Sequence, residues 1–304
     1  MTKILISVYF SRNKYYTFLK LITHYDQEDV SMLCDFHIHT SFSADSKTPA
    51  RDQIEAAIRL GMKEICITDH HDPGTSGMCH FDYTVDPVSY FAALKELAEE
   101  YKDKIHVRSG IELGLMIREK EQLNELVKTI PADFIIGSNH FIDGYDVFDK
   151  NFYYDNGYTV PGTDHQAYHR FFEASLERIK TFDCFDSLGH LDYVVRYGPE
   201  KNANYRPADY MDVIDEILKL LINKGKALEC NTAGFKYGLG HTHPYEEILK
   251  RYHELGGELL TVGSDGHRPH EVGGYFEQAH EILTGCGFRY YTVYRERKPV
   301  FVKL

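Results

Sequence analysis

Two histidines separated by one residue end a short apolar run in the stretch CDFHIHTSFSAD, which covers residues 34–45. If this run is a β-strand, side chains at positions i and i+2 point to the same face, so His37 and His39 project together and can bind one metal ion. A lone pair of this kind is weak evidence, because one packed and one solvated histidine give the same pattern. Residues elsewhere in the chain decide between these two interpretations.

Further residues of metal-binding types stand at the ends of other predicted strands. These strand ends carry Asp69 with His70, Glu112, His140, His190, Asn231, and Asp265 with His267. In a parallel α/β barrel the carboxyl ends of the strands converge on one face, wherever they lie in the sequence. The recurrence at nearly every strand end therefore predicts a polynuclear metal site, to which His37 and His39 contribute.

The elements that would position these residues alternate regularly. Short β-type runs are predicted at 33–39, 64–69, 105–113, 132–138, 185–191, 227–231 and 259–265. Apolar residues recur at helical spacing in 51–61, 87–101, 120–130, 165–180, 207–225, 244–256 and 271–287. Consecutive β–α units of this kind predict an α/β fold with a parallel sheet, closed into a barrel or nearly so.

Two segments interrupt this alternation. The stretch 140–166 after the fourth predicted strand is long, aromatic and Gly-rich, and we expect a functional loop there. The C-terminal tail, FRYYTVYRERKPVFVKL, predicts a closing hairpin with its turn at Arg295 to Lys298.

Composition narrows the classes of function. The chain has 304 residues, with 34 Lys and Arg against 46 Asp and Glu, a net charge of −12. With no basic stripe or Lys/Arg block, this balance disfavours binding to nucleic acid or to a membrane surface. The six cysteines form no CxxC pair, and no apolar run approaches the roughly 20 residues of a membrane span. We expect a cytoplasmic protein with reduced cysteines.

The chain is expected to form one large domain over residues 32–304, preceded by an extension over 1–31. Met32 stands directly before the first predicted strand. Residues 1–31 are therefore either a helical extension or a segment upstream of the true start of translation, and both alternatives stay open. No chemistry is assigned to them.

Several motifs together carry a resemblance to a known family. They are DFHIHTSFSAD, ITDHHDP, GIELG, IGSNHFIDG, GHLDYVVRYG and VGSDGHRPHEVGGYF. The chain resembles the PHP (polymerase and histidinol phosphatase) superfamily from about Leu33 to Leu304, and more narrowly its monofunctional histidinol-phosphate phosphatases. This resemblance implies a distorted (β/α)7 TIM-like barrel that binds three divalent metal ions, of zinc, manganese or iron. It also implies hydrolysis of L-histidinol phosphate in histidine biosynthesis.

The resemblance further implies which residues bind each ion. They are His37, His39, Glu112 and Asp265 for the first ion, Glu112 as a bridge with His140 and His190 for the second, and Asp45, His70 and His267 for the third. Some relatives have histidine in place of Asp45, which leaves the identity of the third ion open. His71 would point away from the site if it continues an extended segment.

The chemistry of phosphate-monoester hydrolysis agrees with this ligand set. The reaction needs a strong nucleophile, which a hydroxide bridging two metal ions supplies at neutral pH, and neutralisation of charge on the phosphoryl group. Arg196 and Arg268 are the candidates for binding the phosphate through a bidentate guanidinium; the alternative for each is a surface salt bridge. Asp265 or His267 would protonate the leaving oxygen, and the sequence does not choose between them.

Other conspicuous residues have simpler explanations. His165 and His169 are spaced i, i+4 on a predicted outer helix but lack the Glu of an HExxH motif, so no metal is expected there. The HTHP stretch at 241–244 is expected to make loop contacts or cap a helix. The aromatic cluster at 141–158 is either ordinary loop packing or a lid on which an imidazole ring could stack.

The function predicted from these features is a phosphatase acting on a small molecule, L-histidinol phosphate. One alternative is a phosphoesterase of the same superfamily acting on another small phosphate, a nucleotide or phosphotyrosine. A non-catalytic module beside a polymerase is a second alternative, which the acidic composition and the lack of a polymerase segment disfavour.

Overall fold

The computed structural model describes residues 3–11, 14–23, 32–75, 77–79, 81–158 and 163–304. The strands within these ranges are β1 (Lys3–Ser11), β2 (Lys14–Thr23), β3 (Cys34–Ile38), β4 (Glu64–Ile67), β5 (His70–His71), β6 (His106–Gly114), β7 (Phe134–Ser138), β8 (Phe141–Ile142), β9 (Tyr145–Asp146), β10 (Ser187–Leu188), β11 (Ala227–Asn231), β12 (Leu260–Gly263), β13 (Tyr290–Arg295) and β14 (Lys298–Lys303). The α-helices are α1 (Ala50–Arg59), α2 (Pro87–Tyr101), α3 (Lys120–Thr129), α4 (Lys150–Asp155), α5 (Asp164–Thr181), α6 (Met211–Lys224), α7 (Ala233–Lys236), α8 (Glu246–Glu254) and α9 (Phe276–Gly285).

A parallel sheet forms the centre of the structure, with the strand order β12-β11-β10-β7-β6-β4-β3 and with β5 beside β6. Its two ends approach each other just past β3 and β12. There the backbone N–H of His39 donates to the carbonyl of Gly266 at 2.9 Å, and Ile38 bridges to Gly266 in parallel. The sheet is thus nearly closed into a seven-stranded barrel, which confirms the predicted fold class.

The barrel strands are buried on both faces, as parallel sheets covered by helices usually are. All five residues of β3, β7 and β11 are buried. The helices between them present one apolar face: in α1, Ile54, Ala56 and Ala57 are buried while the basic end at Arg59 stays exposed. No helix in the described ranges is long and apolar enough to cross a membrane.

Each predicted strand and helix of the barrel is present, mostly with shorter bounds. The helix predicted at 207–225 begins with a 3-10 turn, Pro207–Tyr210, before α6. The helix predicted at 271–287 begins only at Phe276, after a run of turns. The insert at 140–166 is more ordered than expected, since it contains the β8–β9 hairpin and α4; its residues 159–162 lie outside the described ranges. The C-terminal hairpin β13–β14, with Arg295 opposite Lys298, is confirmed.

The N-terminal segment differs from the helical alternative. Strands β1 and β2 pair antiparallel, and β2 runs parallel to β14 beside the C-terminal hairpin. The helical alternative is therefore wrong for residues 3–11 and 14–23, whereas 24–31 lie outside the described residues. The domain boundary at residue 32 stays a prediction.

Closure of the barrel depends on one close approach. A Cβ atom added at Gly263, the last residue of β12, would lie 2.2 Å from the Cβ of His37 and 2.9 Å from Oε1 of Glu229. Neither neighbour has room to move, because both are buried. Glycine at this position lets β12 approach β3.

We expect Gly263→Ala to lower the free energy of unfolding by about 1–3 kcal/mol, the usual cost of overpacking a core. Gly285→Ala is the matched control, because a Cβ at Gly285 meets nothing within 4 Å and the residue ends helix α9. The control should be neutral or stabilising by up to about 1 kcal/mol. Denaturant titration of both variants measures the difference, and equal stability of the two would contradict this role of Gly263.

Candidate metal centre

The predicted ligands meet at the carboxyl ends of the barrel strands. Glu112, in β6, lies at the centre of the cluster and is fully buried. Its Oε1 is 3.0 Å from Nε2 of His190 and 3.2 Å from Nε2 of His140. Its Oε2 is 3.3 Å from Nε2 of His37 and 3.4 Å from Nε2 of His39. The two oxygens thus face two different pairs of histidines, an arrangement suited to bridging two ions.

A further group lies on the solvent side of the cluster. The Oδ2 atom of Asp45 is 3.1 Å from Nε2 of His267 and 3.5 Å from Nε2 of His70. The ring of His39 stacks on both of these imidazoles, with centroids 4.4 Å from His70 and 4.3 Å from His267. His70 also connects this group to the centre, since its Nδ1 is 3.1 Å from Oε2 of Glu112. One ligand atom from each of Asp45, His70, His267 and His39 lies within 4.8 Å of the others.

Asp265 joins the two groups. Its Oδ1 is 3.4 Å from Nε2 of His39, 4.0 Å from Nε2 of His37 and 3.5 Å from Nδ1 of His267. The backbone of Asp265 is left-handed, with φ of 53°, a conformation that non-glycine residues rarely adopt and that often marks functional sites. The structure thus brings together every ligand that the sequence predicts.

The electrostatics of the cluster keep its central carboxylate ionised, the state that a metal ligand needs. The neighbouring carboxylates in turn raise the pKa of His37, His70 and His140, so a metal ion bound there would displace protons. Burial would raise the pKa of Glu112, but His37, His70 and His140 hold it well below its usual range. Burial together with His267 and His70 lowers the pKa of His39 to about 3, so this ring is neutral.

Glu229, which was not predicted from the sequence, orients two of the predicted ligands. Its Oε1 is 2.6 Å from Nδ1 of His37, and its Oε2 accepts a hydrogen bond from the backbone N–H of His190 at 2.7 Å. A carboxylate behind a metal-binding histidine fixes the ring and its tautomer. Glu229 lies two residues before Asn231 on β11, so the two side chains point to the same face of the strand. This spacing is the sequence signal from which Glu229 could have been predicted.

Asp72 and Ser43 support two other histidines in the same way. The Oδ1 atom of Asp72 is 2.8 Å from Nδ1 of His140, and the hydroxyl of Ser43 is 3.2 Å from Nδ1 of His39. Asp69, in contrast, accepts hydrogen bonds from the backbone N–H and hydroxyl of Thr40 and does not face the cluster centre. It therefore acts on the loop after β3.

Buried atoms without partners test whether these residues fit a metal ion. Within the described residues, Oε2 of Glu112 and Nε2 of His140 are buried and make no hydrogen bond of good geometry. Burying such atoms unpaired is costly, and a divalent cation would satisfy both. The mixed nitrogen and oxygen donors suit zinc, manganese or iron. The residues present therefore fit divalent metal ions.

The two predicted phosphate-binding arginines differ in placement. Arg196 is buried, its Nη1 lies 3.4 Å from Oδ2 of Asp265, and its guanidinium lies 3.3 Å from the centroid of the Tyr237 ring. A surface salt bridge, the alternative for this residue, is therefore wrong. Arg268 is exposed, and its side chain makes no hydrogen bond or ion pair with the part of the chain that the structure describes. Lys236, which sequence reasoning missed, donates to the carbonyl oxygen of Asp265 at 3.0 Å.

The histidines that were expected to lie outside the cluster do so. His71 is buried on the neighbouring face of β5, and its ring is not among the candidate metal groups of the described residues. Nδ1 of His165 lies 2.9 Å from the hydroxyl of Tyr210, and Nδ1 of His169 lies 3.5 Å from Oε1 of Glu173. In the HTHP stretch, Nδ1 of His243 lies 2.5 Å from Oδ1 of Asp192, a buried polar contact.

Comparison with known proteins agrees with this geometry. The PHP domain model matches residues 35–233, and the chain belongs to the PHP domain family. A histidinol-phosphatase from Lactococcus lactis subsp. lactis is 34% identical over 254 residues, which cover 84% of this chain and 91% of that protein.

Two solved structures are similar to this chain. The crystal structure of histidinol phosphate phosphatase from Lactococcus lactis, complexed with zinc, L-histidinol and phosphate, superposes with a TM-score of 0.78 at 32% identity, covering 88% of this chain and 98% of that one. A Listeria monocytogenes structure, with a TM-score of 0.67 and 22% identity over 80% of this chain and 98% of that one, supports the fold alone.

We expect Glu112→Gln to reduce metal affinity by more than the roughly 10–100-fold typical of residues that merely orient ligands. An amide keeps one oxygen but cannot supply two anionic oxygens to two ions. Glu281→Gln makes the same chemical change at an exposed position of helix α9 and should bind metal like the wild type. Elemental analysis after dialysis, with circular dichroism to verify folding, measures the effect. Full metal occupancy in Glu112→Gln would exclude the bridge.

Proposed function

We propose that this protein is a cytoplasmic histidinol-phosphate phosphatase, which hydrolyses L-histidinol phosphate to L-histidinol and inorganic phosphate in histidine biosynthesis. The observation that carries the proposal is the buried Glu112 carboxylate, with histidines facing both of its oxygens and Arg196 beside its neighbour Asp265. The relative from Lactococcus lactis, solved with zinc, L-histidinol and phosphate, supports the same substrate.

We assign the site three divalent ions, of zinc, manganese or iron. The proposed ligands are His37, His39, Glu112 and Asp265 for the first, Glu112, His140 and His190 for the second, and Asp45, His70 and His267 for the third. When bound, such ions activate a water molecule as nucleophile and neutralise charge on the phosphoryl group. The chain itself holds the ligands in place through Glu229, Asp72 and Ser43.

Arg196 is the proposed phosphate-binding residue. Its guanidinium is held between the ring of Tyr237 and the carboxylate of Asp265, and its buried Nε makes no hydrogen bond within the described residues. A planar, pre-oriented guanidinium can pair with two phosphate oxygens at once. Asp265 and His267 are the candidates for protonating the leaving oxygen, and Oδ1 of Asp265 lies 3.5 Å from Nδ1 of His267. Neighbouring imidazoles hold the pKa of Asp265 well below its usual range, which favours His267 for this role. Arg268, whose side chain is exposed, stays a weaker candidate for phosphate binding.

Aromatic side chains next to the cluster would cover the imidazole of the substrate. Tyr193 stacks on His190 with centroids 4.6 Å apart, and Phe148, from the 141–158 segment, contacts Tyr197 edge-on at 5.1 Å. Phe148 is 64% exposed, so its ring is accessible to a ligand. We propose that this segment forms one wall of the substrate site.

The principal test is phosphate release from L-histidinol phosphate by protein whose metal content has been measured. We expect turnover that disappears after chelation, with kcat/KM at least about 100-fold higher than for a nucleotide monophosphate or phosphotyrosine, because a site built to pair with one substrate's polar groups rejects analogues that leave them unpaired. A higher kcat/KM for either alternative substrate would identify a different phosphoesterase of the family. Absence of any phosphate release from fully metal-loaded protein would favour a non-catalytic module.

Arg196→Lys keeps the charge but loses one of two parallel hydrogen bonds to phosphate. One charge-assisted hydrogen bond contributes roughly 1.5–3 kcal/mol, so we expect a 10- to 150-fold lower kcat/KM, and a larger loss for Arg196→Ala. Metal content should not change, because a guanidinium is not a metal ligand. Inhibition by inorganic phosphate should weaken in both variants.

The matched control is Arg206→Lys, which alters an exposed arginine paired with Asp209 and should leave kinetics unchanged. If both Arg196 variants hydrolyse histidinol phosphate and respond to inorganic phosphate like the wild type, Arg196 does not bind phosphate, and Arg268 becomes the residue to test.

A further inference from the structure

One buried arginine lies behind the metal centre, outside the ligand set. Arg178, on helix α5, is only 7% exposed. It has no carboxylate partner within 4 Å in the described part of the chain, because its neighbours Asp143 and Glu177 pair with Arg170 instead. Burial and the nearby Arg170 lower the pKa of Arg178 to about 10, so the side chain still carries a charge at neutral pH.

The guanidinium of Arg178 joins two segments of backbone. Its Nε donates to the carbonyl oxygen of Leu115 at 2.8 Å, and its Nη2 donates to the carbonyl oxygen of Phe141. Leu115 follows strand β6 and stands three residues after Glu112, while Phe141 directly follows His140. The arginine thus fixes the two segments that leave β6 and β7 at the metal centre.

These contacts continue to the ligands themselves. The backbone N–H of Leu115 donates to the carbonyl oxygen of Ser138 at 2.9 Å, and the hydroxyl of Ser138 donates to Oε1 of Glu112 at 2.6 Å. The carbonyl of His140 is held by the backbone N–H of Val147 at 3.0 Å. Displacement of either segment would therefore move Glu112 or His140 relative to the other.

Burying the cationic side chain of Arg178 costs more free energy than burying an apolar side chain would. An apolar side chain of similar volume often stabilises a protein as well as a buried charge does, because the charge must be desolvated. Arg178 instead offers what an apolar side chain cannot, a rigid planar fork of donors that sets the separation of two carbonyl oxygens. Arg178 therefore contributes mainly by fixing positions, and the positions it fixes are those of Glu112 and His140.

We propose that Arg178 is a positioning residue, which holds Glu112 and His140 at the separation that metal binding requires. This inference rests on the metal centre of the proposed function. Its test measures metal retention, so the result does not depend on which phosphate ester the protein hydrolyses.

The structure also offers a direct way to test the role of the guanidinium. A surface cleft of about 190 Å³, lined in part by Met116, Ile142 and Arg170, reaches Arg178. In Arg178→Ala, free guanidinium ion could enter from this cleft and occupy the vacated position. Arg170→Ala is the matched control, since Arg170 lines the same cleft on the same helix but pairs with Asp143 and makes no contact with the two carbonyls.

The experiment measures metal bound after dialysis against graded chelator, with and without low-millimolar guanidinium chloride. For Arg178→Ala we expect metal affinity about 10–100-fold below that of the wild type, the usual effect of losing a residue that orients ligands. Guanidinium, but not sodium chloride at the same concentration, should restore much of it. Arg178→Lys, which keeps the charge and can reach one carbonyl, should fall between Ala and wild type and serves as the test if Arg178→Ala does not fold.

Two results would overturn the proposal. One is metal retention in Arg178→Ala or Arg178→Lys equal to that in Arg170→Ala, even if thermal stability falls, since that outcome describes a residue needed only for folding. The other is metal loss in Arg178→Ala that sodium chloride reverses as well as guanidinium does. Failure of the wild type to hydrolyse histidinol phosphate would refute the proposed substrate and leave this test intact.

Discussion

The fully buried carboxylate of Glu112 is the group around which the functional end of the barrel is arranged. Removing a carboxylate from water is expensive unless charge and hydrogen bonds compensate for it. Here the compensation comes from imidazoles facing both oxygens and from the hydroxyl of Ser138. The same constraint explains why a site built for cations holds so many carboxylates: part of the net charge of −12 lies where divalent ions would offset it.

The contact that closes the barrel also positions residues of the candidate metal centre. Strand β12 reaches β3 only because Gly263 has no side chain, and the same approach places His37 between Glu229 and Glu112. Asp35 stabilises the contact between β3 and β12, because it accepts hydrogen bonds from the backbone N–H and the hydroxyl of Ser264 at 3.0 and 2.6 Å. Weakening the contact between β3 and β12 would therefore disturb the candidate ligands as well as the fold.

Precision in the site comes from residues behind the ligands. Glu229, Asp72 and Ser43 each fix an imidazole through its second ring nitrogen, and Arg178 fixes backbone near Glu112 and His140. Each of these side chains is buried, or nearly so, which makes its hydrogen bonds strong and leaves it few alternatives. The candidate ligands are thus held in place by the protein itself, which would lower the cost of binding metal ions.

The sequence by itself determined the barrel and grouped most residues of the candidate metal centre, because both follow from local rules. Strand and helix periods are readable within a few residues, and parallel strands bring their carboxyl ends to one face regardless of separation, so His37, Glu112 and Asp265 could be grouped without a structure. Only the tertiary structure decided which side chains stand behind them. The contact of Glu229 with His37 spans 192 residues, and that of Asp72 with His140 spans 68. The same holds for the burial of Arg196, the exposure of Arg268 and the pairing of β2 with β14. Such pairings depend on the exact distance and direction between elements distant in sequence, which no local pattern of residues encodes.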